Sequence, residues 1–226
     1  MTDPREFFKQ WPAFYYFIAV VFGPLLRTGL SAHAFLKKYP SAAKIVNLGS
    51  GPKIIDSSVT NVDMTPYPGV SLVADVCAVP LPDGSVARII SNTVLEHVRD
   101  PEAAVKEMHR LLEKGGIAYI TVPFLYPFHS SPSDYHRWTC EGVRELFRDF
   151  EIVEIGVWAG PASALTAYFC HFVGMLFSFR SEFLNSLFTN LAMFIFFPLK
   201  FLDLILARLP QAHTVASIFY CVVKKS

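Results

Sequence analysis

The chain has 226 residues and a formal net charge of +1, with 52% hydrophobic and 17% charged residues. Near-neutrality excludes the polyelectrolyte character of a nucleic-acid binder. A soluble domain carries about 25% charged residues, so this chain, with 21 Phe and a mean hydropathy of +0.36, has apolar surface to hide from water.

Residues 11–26 form an aromatic and aliphatic run broken by Gly23-Pro24. It is shorter than the roughly 20 residues of a membrane-spanning helix. Trp11, Tyr15 and Tyr16 near one end and Arg27 at the other suit a helix lying at a membrane interface; packing on the domain itself is the alternative. Charges of both signs before the run, and no small-residue cleavage site after it, argue against a secretory signal peptide. A helix is expected over residues 30–39.

Residues 44–48 then read as a buried strand ending in the turn Gly49-Ser50-Gly51. Its glycines allow a sharp turn and a close backbone approach to a ligand. A second short strand, Asn61-Val62, ends at Asp63. Strand, glycine turn, strand and acid is a layout that grips a nucleoside, the acid accepting ribose hydroxyls. Residues 72–74 predict a third strand before Asp75, and residues 87–91 a fourth before Asn92. Asp100-Pro101 opens a helix with an apolar face at Ala104, Val105, Met108, Leu111 and Leu112, expected to end at Gly115-Gly116. Residues 117–122 make a fifth strand. Thr139 caps a helix through Phe147, residues 151–157 a sixth strand and residues 217–223 the last. Strands alternating with helices imply parallel βαβ units, whose ligands bind beyond the carboxyl ends of the strands.

Several segments together resemble class I S-adenosylmethionine-dependent methyltransferases of the type 11-like branch. They are Val46-Asn47-Leu48-Gly49-Ser50-Gly51, Val62-Asp63, Ala74-Asp75-Val76, Val79-Pro80-Leu81-Pro82-Asp83, Leu95-Glu96-His97-Val98 and Arg110-Leu111-Leu112-Glu113-Lys114-Gly115-Gly116. The resemblance spans residues 44–124. It implies an α/β fold, a Rossmann-like methyltransferase sheet with helices on both faces, and S-adenosyl-L-methionine as cofactor. Gly49, Ser50 and Gly51 would pass beneath its methionine part. Asp63 would meet the ribose, Asp75 and Val76 the adenine, and Asn92 the methionine end, with Asn47, Met64 and His97 as further candidate cofactor contacts. Asn47 stands where the family carries an acid. The short link from Gly51 to Asp63 leaves room for little more than one helical turn.

After the fifth strand, residues 123–139 hold His129, Asp134, Tyr135, His136, Arg137, Trp138 and Tyr126. The pattern H-x(4)-D-Y-x-R-x-T is similar to bacterial methyltransferases linked to surface glycans or lipid-linked intermediates. An alcohol acceptor benefits from a base. His129 is the first candidate, His136 the second, and Asp134 orients one of them; Tyr126, Tyr135, Arg137 and Trp138 are candidate substrate contacts. The structural alternative is an Asp134–Arg137 pair that locks the loop, with His129 lining the pocket and Glu96-His97 capping a turn.

Residues 161–214 are a heavily apolar helical insertion before the last strand, interrupted by Lys200 and Asp203 among others. The expected organisation is residues 1–40 as apolar, membrane-associating N-terminal helices, 41–160 with 215–226 as the methyltransferase domain, and 161–214 as membrane-associating or dimerising helices. The expected protein is a monotopic enzyme on the cytoplasmic face of a membrane, O-methylating a membrane-held or lipid-linked glycan acceptor. A lipid or quinone-like ring is the alternative acceptor, a cofactor-binding membrane scaffold without turnover the alternative class. Expected partners are a membrane surface and a lipid substrate, with a homodimer as the other use of the apolar face and no nucleic acid. Cys77, Cys140, Cys170 and Cys221 are scattered without metal-ligand spacing, so free thiols in a reducing compartment and no metal are expected.

Overall fold

The computed structural model describes residues 20–130 and 133–226. Most of the apolar run at 11–26, with Trp11, Tyr15 and Tyr16, therefore lies outside the described residues. The chain divides into two compact units: Gly29–Phe124 with Phe128–Trp158 and Ile218–Ser226, and Met1–Thr28 with Leu125–Pro127 and Ala159–Ser217.

The first unit holds a seven-stranded mixed sheet. Its strands are β1 (Ile45–Leu48), β2 (Val59–Asp63), β3 (Leu72–Val73), β4 (Val86–Asn92), β5 (Leu112–Pro123), β6 (Glu151–Ala159) and β7 (Ile218–Lys224). They lie in the order β3-β2-β1-β4-β5-β7-β6. The first five pair in parallel, and β7 runs antiparallel to β5. All four residues of β1 are buried, as befits a strand flanked on both edges and covered on both faces. Helix α1 (Ala32–Lys38) starts under a Ser31 cap and lays Phe35 on Tyr119, in a cluster with Ile90 and Val222. Helix α2 (Pro101–Leu111) covers the other face with Ala104, Val105, Met108 and Leu111, and α3 (Cys140–Leu146) starts at the expected Thr139 cap.

Two local expectations are corrected. Helix α2 ends at Leu111, short of Gly115-Gly116, because fully buried Leu112 is already extended and paired with Val86. The next pair is Arg88 with Ile117, so residues 113–116 bulge from β5. The link between β1 and β2 contains turns and no helix.

Helix α2 also pins the segment before β4. The Glu107 carboxylate accepts the Val79 N–H at 2.7 Å. The Arg110 guanidinium donates to both Glu107 oxygens and to the carbonyls of Val79 and Leu81. The Val-Pro-Leu-Pro-Asp stretch and the arginine of the following helix thus form one interlocked corner.

In the second unit, α4 (Pro161–Leu176) and α5 (Glu182–Phe196) cross closely, followed by a 3₁₀ segment (Phe197–Leu202), α6 (Asp203–Leu206) and a second 3₁₀ segment (Pro210–Thr214). A Cβ on Gly174 would meet Thr189 Oγ1 outright. The run Glu182–Leu206 is the one stretch among the described residues long and apolar enough to cross a membrane by length and composition. Its two buried charges are satisfied by protein. Lys200 donates to the carbonyls of Val20, Val21 and Gly23 at 2.8–2.9 Å, and Asp203 accepts the N–H groups of Gly160, Ala162 and Ser163 at the start of α4.

Candidate functional site

The carboxyl edge of β1, β2 and β4 gathers the residues expected at the cofactor. Both glycines of the first turn take positive φ, +66° at Gly49 and +55° at Gly51, but for different reasons. A Cβ on Gly49 would lie 2.5 Å from Val94, whereas one on Gly51 would meet nothing within 4 Å. Gly49 therefore serves packing, and Gly51 opens the cradle. Asp63 Oδ2 accepts the Gly51 N–H at 2.8 Å, and Oδ1 accepts the Thr65 N–H at 2.9 Å. A carboxylate offers about four lone-pair sites, so after these two bonds Asp63 can still accept from two hydroxyls. Ser50 donates its N–H to the Val62 carbonyl, holding the turn against β2. Met64 is two-thirds exposed beside this acid.

The remaining cofactor candidates are spread along the same edge. Asp75 accepts the Cys77 N–H, and Val76 is buried next to it. Asn92 accepts from the Thr121 hydroxyl at 2.7 Å, and Thr93 follows at a φ of 54°. Asn47 is buried within the sheet, donating its amide to Asn61. A ribose-and-base ligand over Gly51, bounded by Asp63 and Asp75, fits the residues present.

The loop after β5 folds against the short 3₁₀ turn Leu95–His97. The Tyr135 N–H donates to the Glu96 carbonyl at 2.7 Å. The Glu96 side chain is fully buried, and neither of its oxygens has a hydrogen-bond donor. His97 Nε2 stands 3.9 Å and His129 Nε2 3.8 Å from its Oε1. The two imidazoles meet edge to face at 5.1 Å. Burial pushes the Glu96 carboxyl up to about 8. Asp134 accepts the His129 N–H and both terminal nitrogens of Arg137, and Arg137 holds its carboxyl down to about 2. Asp134 Oδ2 also lies 3.4 Å from His129 Nδ1.

His129, Asp134 and Arg137 are thus brought together, with His97. His136 is turned to the Arg99 carbonyl at 3.4 Å, and its ring lies beside Trp138. Tyr135 is half-exposed under the Arg99 guanidinium. Tyr126 belongs to the second unit. The residue that sequence reasoning undervalued is Glu96: it is no surface cap but the buried floor of the His97–His129 cluster. Its place directly after β4, on the ligand edge, was the available signal.

Residues 28–120 match the model of the Methyltransferase domain family. That match and the strand order support a class I methyltransferase domain. An uncharacterized 37.1 kDa protein of a Streptomyces fradiae transposon is 27% identical over 88 residues, 39% of this chain. The aligned region spans only a quarter of that relative's length. A SAM-dependent methyltransferase of Thermotoga maritima shares the fold at a TM-score of 0.52 and 18% identity, covering 98% of this chain and 99% of its own. A Haemonchus contortus phosphoethanolamine N-methyltransferase, solved with S-adenosyl-L-methionine, gives a TM-score of 0.52 at 15% identity, covering 100% of this chain and 60% of its own. At such identities the likeness to these two structures is one of fold. Family match and site geometry together support S-adenosylmethionine as the cofactor of this domain.

Proposed function

We propose that this chain is an S-adenosylmethionine-dependent methyltransferase that methylates an oxygen on a membrane-held or lipid-linked acceptor such as a glycan, working as a monotopic protein on the cytoplasmic face. The reading is carried most by the pairing of Gly51 with Asp63 beneath open space at the carboxyl edge of the sheet. The cofactor supplies an electrophilic methyl group on a sulfonium; the protein supplies alignment and control of the acceptor's proton. The acceptor oxygen would be met by the cluster of His97, His129 and Glu96, with Asp134 and Arg137 fixing the loop that carries His129. Tyr135 and Trp138 would contact the acceptor's body.

Membrane attachment is supported by two exposed helical stripes in the second unit. Leu165, Tyr168, Phe169, Phe172 and Leu176 lie on one face of α4, and Phe183, Leu187, Leu191 and Phe194 on one face of α5. Such stripes suit insertion into one leaflet. All four cysteines are free, in keeping with a cytoplasmic face.

The test is calorimetric titration of detergent-purified protein with S-adenosylmethionine, beside Asp63→Ala. Micromolar binding that the substitution abolishes supports the enzyme. Failure of folded wild-type protein to bind would overturn it and leave a scaffold retained for its apolar helices.

A further inference from the structure

We infer that Glu96, His97 and His129 form a binding site for one divalent transition-metal ion of the zinc class. One ligand atom from each residue lies within 4.8 Å of the others. Ligands held about 2.1 Å from a tetrahedral ion stand about 3.4 Å apart, so the two separations from Glu96, 3.8 and 3.9 Å, need to close by a fraction of an ångström, and the two imidazole nitrogens, within 4.8 Å of each other, by a modest side-chain rotation.

Three observations single out a cation rather than a hydrogen-bonded cluster. Glu96 is fully buried, yet both its oxygens lack a donor. Burying a carboxylate without a partner is costly, and the usual remedy is a positive charge. Arg137, the nearby guanidinium, is engaged with Asp134 instead. Second, each imidazole has its outer nitrogen on an acceptor. His97 Nδ1 lies 2.5 Å from the Ser133 carbonyl, which can only accept, so Nδ1 carries the proton and Nε2 turns a lone pair toward Glu96. His129 Nδ1 faces the Asp134 carboxylate in the same way. An outer carbonyl or carboxylate that sets the tautomer of a ligating histidine is the usual support of a metal site. Third, the loop bearing His129 is tied down by Asp134, Arg137 and the Tyr135–Glu96 backbone bond, so the ligands are held in place in advance.

Two imidazoles and one carboxylate suit zinc and its neighbours better than magnesium or calcium. Three protein ligands leave at least one position open, as in reactive rather than purely structural sites. The inference goes beyond the methyltransferase reading and stands without it. Where both hold, the open position would take the acceptor oxygen, and His129 would act there as a ligand rather than as a free base.

The experiment uses the full chain, stripped with a chelator and titrated with Zn²⁺ by calorimetry and metal analysis, with Co²⁺ absorption reporting the ligand field. One ion per chain is expected, with affinity reduced about 100-fold or more in His97→Ala and His129→Ala. Asp134→Asn, outside the ligand set, should weaken binding about 10–100-fold. His136→Ala should retain the ion. Glu96→Gln, near-isosteric, serves if an Ala variant fails to fold. A thermal shift of the wild-type protein on adding Zn²⁺ is a second readout. Absence of stoichiometric uptake and of a shift in the folded chain, or uptake unchanged in both histidine variants, overturns the site. S-adenosylmethionine binding by the same metal-free sample tests the enzyme reading separately: either result can fail while the other holds.

Discussion

Asp203 accepts a hydrogen bond from the Ala162 N–H at 2.8 Å, reaching across 41 positions of sequence to the first turn of α4. It takes the Gly160 and Ser163 N–H groups as well, so one buried carboxylate satisfies donors that this helix start leaves without intrahelical partners. Pro161 occupies the position with no N–H to offer. Asp203→Ala should therefore cost about 3 kcal/mol, the order expected when buried charge-assisted bonds are broken. Urea unfolding checks this, and a loss below about 0.5 kcal/mol would contradict the role.

Lys200 gives a prediction whose sign separates two environments. If residues 182–206 lay across a bilayer, replacing Lys200, in the last third of that run, by Met would favour the fold by up to roughly 2.5–3.5 kcal/mol, the value for a charge at the centre of a span. Here its ammonium group satisfies three carbonyls, those of Val20, Val21 and Gly23. Lys200→Met should instead destabilise, because the carbonyls lose their donor. Thermal melts in detergent give the answer.

The two turn glycines should fail differently. Gly49→Ala puts a methyl group 2.5 Å from the Val94 side chain and strains a left-handed backbone, and should lower the melting temperature sharply. Gly51→Ala meets no neighbour and carries only the backbone strain of its left-handed conformation, about 1–2 kcal/mol. It should fold, yet bind S-adenosylmethionine at least tenfold more weakly, since its Cβ enters the cradle. Calorimetry beside a melt separates the two effects.

Much of this fold was legible because its signals are local. The apolar run into Gly49, the carboxylates ending short strands, the Asp100-Pro101 helix start and the Thr139 cap each lie within a few residues of the structure they specify. What stayed hidden depends on distant partners. Gly115-Gly116 looked like a helix end, but the pairing of β5 with β4 pulls the strand back to Leu112. Lys200 and Asp203 looked like interruptions of an apolar helix, but their partners are the carbonyls and N–H groups of other segments. Glu96 looked like a turn residue because nothing nearby in sequence shows that His129 and Tyr135 close over it.

The Glu107–Arg110 corner predicts an acid-sensitive contribution. Hydrogen bonding to Arg110 holds the Glu107 carboxyl below its ordinary value of 4.5. A carboxyl depressed in the folded state contributes stability that is fully present above its unfolded value and lost as pH falls through the folded one. Glu107→Gln should thus be less stable than wild type at pH 7, and the gap should close as pH falls below about 4. A gap independent of pH would mean that the carboxylate's charge plays no part.

The exposed stripes of α4 and α5 carry the last prediction. Phe172 on α4 is about half exposed, and so is Leu191 on α5. Burying a large apolar side chain in lipid gains about 1.5–3 kcal/mol, so Phe172→Glu with Leu191→Glu forfeits the gain twice and adds two charges to desolvate. Co-sedimentation with anionic vesicles should fall by at least 100-fold, and the variant should stay monodisperse without detergent. A dimer face would respond otherwise: vesicle binding would be weak for both proteins, and the double substitution would convert a dimer to a monomer in light scattering. Leaflet insertion is overturned by that second pattern.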